Sequence, residues 1–296
     1  MRRLLLVAWA LLLGAAGCSE ASGSSDSAAP SAPSASTSTA AEPKDPAVGD
    51  CWTTTAYEAS DALAFDFTAP VDCAAEHHME TVHVGRITGT LAAGAEVPAR
   101  TDFAPLYAEC EKAAETYLGA AWHTGQVYVY MHPPTIPEWR AGVRSFRCDV
   151  AAVDLQNNRL VPVKETFKDS LRPGSPRTIG CAKRVVSGGR TTNLAPVACT
   201  EPHYAEFVGF ARRTDVAEFP TEFMAFANLF DAECERQALA YTGMSRSHAS
   251  RTVGALPFRT TTGIGWQHGD RSARCYVTAK GKELGRSLKG VGNVSL

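Results

Sequence analysis

The 296-residue chain has no excess of basic charge: 29 Lys and Arg stand against 31 Asp and Glu, a net charge of −2. That balance excludes the basic face that nucleic-acid binding requires. Nor is there a long apolar run. The one uninterrupted stretch near the start, Leu4 to Leu13, would span about 15 Å as a helix, half of a bilayer core of about 30 Å. Close cysteine pairs of the C-x-x-C kind are missing as well, which argues against a structural zinc-thiolate site. No phosphate-cradling glycine loop, nucleophile elbow or Ser/His/Asp signature is found.

What the chain does have is cysteine, nine in all. The first belongs to a leader. Met1-Arg2-Arg3 is a positive start, Leu4–Leu13 an apolar centre, and Gly14-Ala15-Ala16-Gly17 places small residues directly before Cys18. This is the pattern of an export signal, and small residues before a cysteine resemble a bacterial lipobox. Residues 1–17 are therefore expected to be a signal peptide, with Cys18 acylated. Two or three acyl chains would anchor the protein firmly where one is marginal. Cleavage there leaves 27 basic and 31 acidic residues, net −4, too mild to drive attraction to anionic lipid heads. From Ser19 to Ala47, Ser, Ala, Thr and Pro dominate. Such a composition cannot offset its ordering entropy, so residues 18–48 read as a lipidated cysteine followed by a disordered tether.

The remaining eight cysteines form two sets of four: Cys51, Cys73, Cys110 and Cys148, then Cys181, Cys199, Cys234 and Cys275. An even number in an exported chain reads as a disulfide framework. The intervals are 22, 37 and 38 in the first set and 18, 35 and 41 in the second. Other residues keep step with them. Cys73-Ala74-Ala75-Glu76-His77-His78-Met79-Glu80 parallels Cys199-Thr200-Glu201-Pro202-His203-Tyr204-Ala205-Glu206. Ala108-Glu109-Cys110-Glu111 parallels Ala232-Glu233-Cys234-Glu235. Trp139-x-x-Gly142-x-Arg144-Ser145-x-Arg147-Cys148 parallels Trp266-x-x-Gly269-x-Arg271-Ser272-x-Arg274-Cys275, and Ser170-Leu171 is matched to Ser287-Leu288. Self-similarity of this kind identifies a tandem repeat, with domains at 49–172 and 178–290 and a boundary in the turn formers Arg172-Pro173-Gly174-Ser175-Pro176.

Each copy reads as an α+β unit, a small mostly antiparallel sheet with one main packed helix. The segment after each His/Glu motif alternates, with Val82, Val84 and Ile87 in one copy and Phe207, Val208 and Phe210 in the other, as a half-buried strand does. A helix follows. Its apolar stripe is Phe103, Leu106, Cys110, Ala114 and Tyr117, or Phe223, Phe226, Phe230, Cys234, Ala238 and Tyr241. In the second copy it begins near Pro220 and stops at Gly243. Extended stretches come next at Gln126–Met131 and Arg251–Phe258. In the last strand Phe146, Cys148 and Val150 share a face opposite Arg147 and Asp149, and Ala273, Cys275 and Val277 repeat this. The third and fourth cysteines then both point inward, one from a helix and one from a strand. Four cysteines allow three pairings; the expected one joins first to second and third to fourth in each copy. Each bridge would constrain the unfolded chain by about 3–4 kcal/mol on a loop-entropy view.

Gly49-Asp50-Cys51, the Cys-x-x-Pro-His-x-x-Glu motif at Cys199–Glu206 and the Trp-x-x-Gly-x-Arg-x-x-x-Cys endings resemble the septum formation family domain of actinobacterial secreted and membrane-attached proteins. The resemblance covers about residues 49–290. It departs at Glu76, where proline is usual, and at Ile179-Gly180-Cys181, which lacks the aspartate. It implies a cell-envelope role linked to division septa and no established enzymatic activity.

Among polar candidates His77, Glu80, His203 and Glu206 stand out. As a functional set they would make a small binding site or acid/base pair; as a structural set they would brace a loop beside a disulfide. His77, His78 and His83 could gather on a loop, but the second copy offers only His203, so no metal is assigned, and no cofactor. Trp139 and Trp266 are expected to close the core, the alternative being exposed platforms for sugars or partners. The reading is a non-enzymatic, lipid-anchored module at the extracytoplasmic face of the cell membrane, presenting two disulfide-bonded domains to envelope or division proteins. Its rivals are an envelope hydrolase using the His/Glu pair and a sensor or ligand-capture domain for a membrane partner.

Overall fold

The computed structural model describes residues 46–54 and 70–296. The expected signal peptide, Cys18 and nearly all of the tether lie outside these residues. The described residues fall within one compact unit, and they build two antiparallel sheets and the helices that cover them. Among them no helix is long and apolar enough to cross a membrane.

The first sheet contains β1 (Cys51–Trp52), β2 (Met79–Arg86), β3 (Val127–His132), β4 (Ser145–Asp154) and β5 (Arg159–Leu160). Its order is β1-β2-β4-β3, with β5 paired to β4. The second contains β6 (Cys181–Ser187), β7 (Arg190–Val197), β8 (Ala205–Arg212), β9 (Val253–Arg259) and β10 (Ser272–Ala279), ordered β7-β6-β8-β10-β9. Short helices α1 (Gly89–Ala93) and α3 (Ile136–Arg140) flank the first sheet, and α5 (Arg246–Thr252) and α6 (Gly263–His268) the second. Two long helices carry most of the packing: α2 (Ala104–Leu118) and α4 (Phe223–Thr242).

Both long helices stop where a glycine takes the left-handed conformation that a side chain resists: Gly119 at φ 84° and Gly243 at φ 69°. Helix α2 buries Leu106, Cys110, Ala114 and Leu118 against Val127, Val129, Phe146, Cys148 and Val150 of the first sheet. Phe226, Phe230 and Cys234 of α4 pack on Ala211, Ala273 and Cys275 of the second. The sheet faces turned away from these helices meet each other. Trp52, Met79, Tyr130, Ala151 and Val153 of the first half share one apolar cluster with Ala182, Leu194, Ala205 and Tyr276 of the second. The layers thus run helix, sheet, sheet, helix. This explains why β4 and β10 are buried on both faces. It also explains why Arg147 and Asp149, expected opposite the core face, are buried as well. Their face looks into the second sheet rather than into water, and Asp149 accepts from Arg147 Nε at 2.9 Å and Thr81 Oγ1 at 2.8 Å.

All four disulfides join the expected partners: Cys51–Cys73, Cys110–Cys148, Cys181–Cys199 and Cys234–Cys275, with Cα–Cα separations of 5.0–5.3 Å. These separations lie inside the bridging range. Trp139 and Trp266 are buried, and each is followed by a left-handed glycine, Gly142 and Gly269.

Several expectations need correction. A bulge between Thr81 and His83 interrupts the alternation in β2, because two residues there face one on β4. Phe223 begins α4 but stands half exposed. Arg251 lies in α5 rather than in a strand. Tyr117 and Tyr241 pack against the core as expected, but they also turn their hydroxyls onto buried carboxylates, as described next.

Candidate functional site

Glu80 lies in β2 and Glu206 in β8, and both are buried. Glu206 accepts from Tyr241 Oη at 2.7 Å, Ser287 Oγ at 2.8 Å and the Leu288 amide at 2.7 Å. Its Oε1 also lies 3.1 Å from His203 Nε2. Glu80 accepts from Tyr117 Oη, Thr166 Oγ1 at 2.8 Å and the Phe167 amide at 2.6 Å. The histidines sit one turn earlier, outside the regular strands. Each backbone pairs in both directions with a residue of the segment that follows the last strand: His77 with Val163, and His203 with Leu284. That turn is why residues three apart, which a continuous strand would send to opposite faces, come together at His203 and Glu206.

The Nδ1 atoms face the carbonyls of Ala75 at 2.9 Å and Glu201 at 2.7 Å. A carbonyl only accepts, so each Nδ1 carries the proton. In the first half His77 Nε2 has no hydrogen-bond partner. Burial, first, and the bond to the carboxylate push the Tyr117 phenol up to about 12, and burial does the same for Tyr241, beside Glu206. Each cluster is thus a knot joining motif, helix and terminal segment. The tail match read from sequence is off by four residues: Thr166-Phe167-Lys168, not Ser170-Leu171, occupies the place of Ser287-Leu288-Lys289. Thr166 and Ser287 are interchangeable as hydroxyl donors, an equivalence that identical letters do not mark.

A second group, absent from the sequence reading, lies where the halves meet. Glu111 of α2, His123 and Asp270 bring donor atoms within 4.8 Å of one another, all three buried. His123 lies in the turn Trp122–Thr124 before β3. Its Nε2 is 2.8 Å from Ser272 Oγ, which donates to Asp270. Its ring stacks on Phe210 with centroids 4.3 Å apart. Arg212 of β8 binds Glu111, and Trp122 Nε1 donates to the same carboxylate at 3.1 Å. Burial, followed by the Glu111 charge, raises Asp270 to about 7. Burial, helped by Arg212 and Arg274, holds His123 well below the ordinary histidine range. As a metal-binding set the cluster is already committed: Arg212 neutralises Glu111, and Asp270 shares its acceptor with Ser272. Cys51, Cys73 and Cys181, which neighbour Glu80 or Glu206, are in disulfides and offer no thiolate.

Beside this cluster a cavity of about 440 Å³ opens between the sheets. Tyr107, Tyr128 and Tyr130 line it from the first half. Tyr276, the Thr260–Thr262 turn and the Thr191–Asn193 segment line it from the second. Ser272 and Arg274 were visible in the sequence only as partners of Ser145 and Arg147, with no link to His123 or Asp270. His123, Asp270 and Arg274 have no common pattern until the two halves are placed face to face.

The sequence model of the septum formation family matches residues 48–283, a span that includes both sheets, and the chain belongs to this family. Membership connects it with cell division at the envelope. No curated protein and no solved structure matches the chain.

Proposed function

We propose that the protein is a non-enzymatic binding module of the cell envelope, tethered to the outer face of the cytoplasmic membrane through an acylated Cys18 and engaged at division septa. The observation that carries the reading concerns the strongest sequence candidate for chemistry. His203 and Glu206 are sealed from solvent and saturated by their own chain, so they have no face to offer a substrate. The cavity between the sheets is the recessed, polar and aromatic surface that a binding protein uses. The common path β1-β2-β4-β3 and β6-β8-β10-β9, to which β5 and β7 are additions, and the long helix after the second strand of each path support a second element of the proposal, that the chain is a duplicated module whose copies closed on each other.

The test is sedimentation of the purified protein with cell walls from the source organism, with the supernatant assayed for released sugars and peptides. Co-sedimentation without release is expected. Fragment release that disappears in His203→Ala would establish the hydrolase instead. Export of a Cys18→Ser variant, expected to leave the membrane fraction, tests the anchor.

A further inference from the structure

The cavity between the sheets holds polar groups that the protein leaves unused. Thr260 Oγ1 and His268 Nε2 are buried and have no hydrogen-bond partner. The hydroxyls of Tyr107 and Tyr276, on opposite walls, make no hydrogen bond among the described residues. The two buried groups are unusual, because a buried polar atom without a partner is costly and rare, and the two phenols add unused donors to the same space.

The charged side chains on the cavity wall are, by contrast, largely engaged by the chain itself. Arg274 spends its guanidinium on the carbonyls of His123 at 2.8 Å, Gly125 at 2.6 Å and Val127 at 3.3 Å. Arg259 is stacked on Phe219 and Phe226 and donates through one terminal nitrogen to the Pro220 and Thr221 carbonyls, while its Nε is buried without a partner. Burial keeps the tyrosines protonated, with Tyr276 pushed up to about 12, and keeps His268 neutral by lowering it to about 4. A cation would meet only the Asp270 carboxyl, which burial raises to about 7 and which accepts from Ser272, an anion would find a single unused arginine donor, Arg259 Nε, and an apolar ligand would leave the polar groups unsatisfied. The space suits a ligand that is uncharged, carries several hydroxyl or amide groups, and has ring faces to lay on aromatic walls. Its volume is within the usual range for small-molecule sites.

We propose that this cavity binds a neutral sugar ring, with Tyr107, Thr260, His268 and Tyr276 as its hydrogen-bonding partners. The proposal rests on the binding reading above and narrows it to a ligand class. Because the two phenols come from different halves, the site exists only when the halves are closed on each other.

Titration calorimetry of the purified full-length protein with glucose, N-acetylglucosamine and its β-1,4-linked dimer tests it. Sodium glucuronate and tetramethylammonium chloride serve as charged comparators. Saturable heat with at least one neutral sugar is expected, and the charged probes should bind more weakly. Thr260→Val and Tyr107→Phe should each weaken that binding about tenfold, the loss of one hydrogen bond. Since neither hydroxyl has a partner in the protein, both variants should melt no lower than wild type, so that a loss of binding is not a loss of fold. No heat with any neutral sugar at millimolar concentration would overturn the proposal and leave a water-filled cavity. So would sugar binding indifferent to both substitutions, or tighter binding of either charged probe. Wall sedimentation that survives Thr260→Val and Tyr107→Phe, with no sugar heat, would sink this site while leaving the binding module intact.

Discussion

Arg274 Nε in β10 donates to the carbonyl of His123 at 2.8 Å, and this bond joins strand to turn across the junction of the two halves. The same guanidinium reaches the Gly125 and Val127 carbonyls, while Arg212 crosses in parallel to Glu111. Gly269, at φ 120°, lets α6 approach within 3.2 Å of the Ala104 backbone, measured from where a Cβ would stand. The halves are therefore fastened by oriented polar contacts as well as by the shared apolar cluster.

Replacing Arg274 by Met would strand three buried carbonyls. Each orphaned group costs about 1–3 kcal/mol, and some of these will recover water or new partners, so a loss on the order of 3 kcal/mol is expected. For a chain of this size that is a fall of roughly 6–12 °C in melting temperature. Differential scanning calorimetry should show it, with the single transition broadening or splitting as the halves uncouple. An unchanged endotherm would mean that the apolar cluster alone holds the junction.

The two His/Glu knots should differ in strength. Glu206 gathers His203, Tyr241, Ser287 and the Leu288 amide, so Glu206→Gln turns an acceptor into a donor facing donors. His203→Ala removes one member and frees a carboxylate edge. His77→Ala removes a ring whose Nε2 has no partner. Thermal melts should rank the losses as Glu206→Gln at least equal to His203→Ala, and both above His77→Ala, with the larger values about 1–3 kcal/mol. A rise in melting temperature for both histidine variants would mark these sites as strained for function.

Asp270 makes stability depend on pH. Its folded value, about 7, stands above its ordinary value of 3.8, so between the two the folded state holds a proton that the unfolded state has released. Its contribution is fully present below about pH 4 and is lost as pH rises through 7. Burial, then the Glu111 charge, produce this rise, while the hydrogen bonds of Ser272 and Thr261 and the Arg212 charge oppose it. Between pH 5 and 8 the wild type should therefore lose stability, on the order of 3 kcal/mol from this group, relative to Asp270→Asn. The variant keeps an acceptor for Ser272 and has no proton to lose. Denaturant melts of both proteins at the two pH values check this; parallel pH profiles would refute it.

The eight bridged cysteines should resist alkylation until reductant is added. In the loop-entropy view each bridge contributes about 3–4 kcal/mol. The Cys110→Ala/Cys148→Ala double variant should accordingly be less stable by an amount of that order. Peptide mapping that finds Cys110 alkylated in unreduced folded protein would refute the pairing.

The sequence by itself determined the elements that depend on local spacing. The 3.6-residue recurrence of Phe226, Phe230 and Cys234 defined α4, Gly243 ended it, and the cysteine intervals, with the inward faces of Cys110 and Cys148, led to the disulfide pairs. Periodicity and turn chemistry act along the chain and can be read along it. Only the tertiary structure decided what lay opposite. That Tyr241, besides packing on the core, donates to Glu206 depended on where Glu206 stood across the helix–strand contact. Whether Thr166 or Ser170 matched Ser287 depended on which hydroxyl reached a buried carboxylate. The meeting of His123, Asp270 and Arg274, and the cavity beside them, arose from packing one sheet face on another, a contact between residues about 150 positions apart that leaves no period in the sequence.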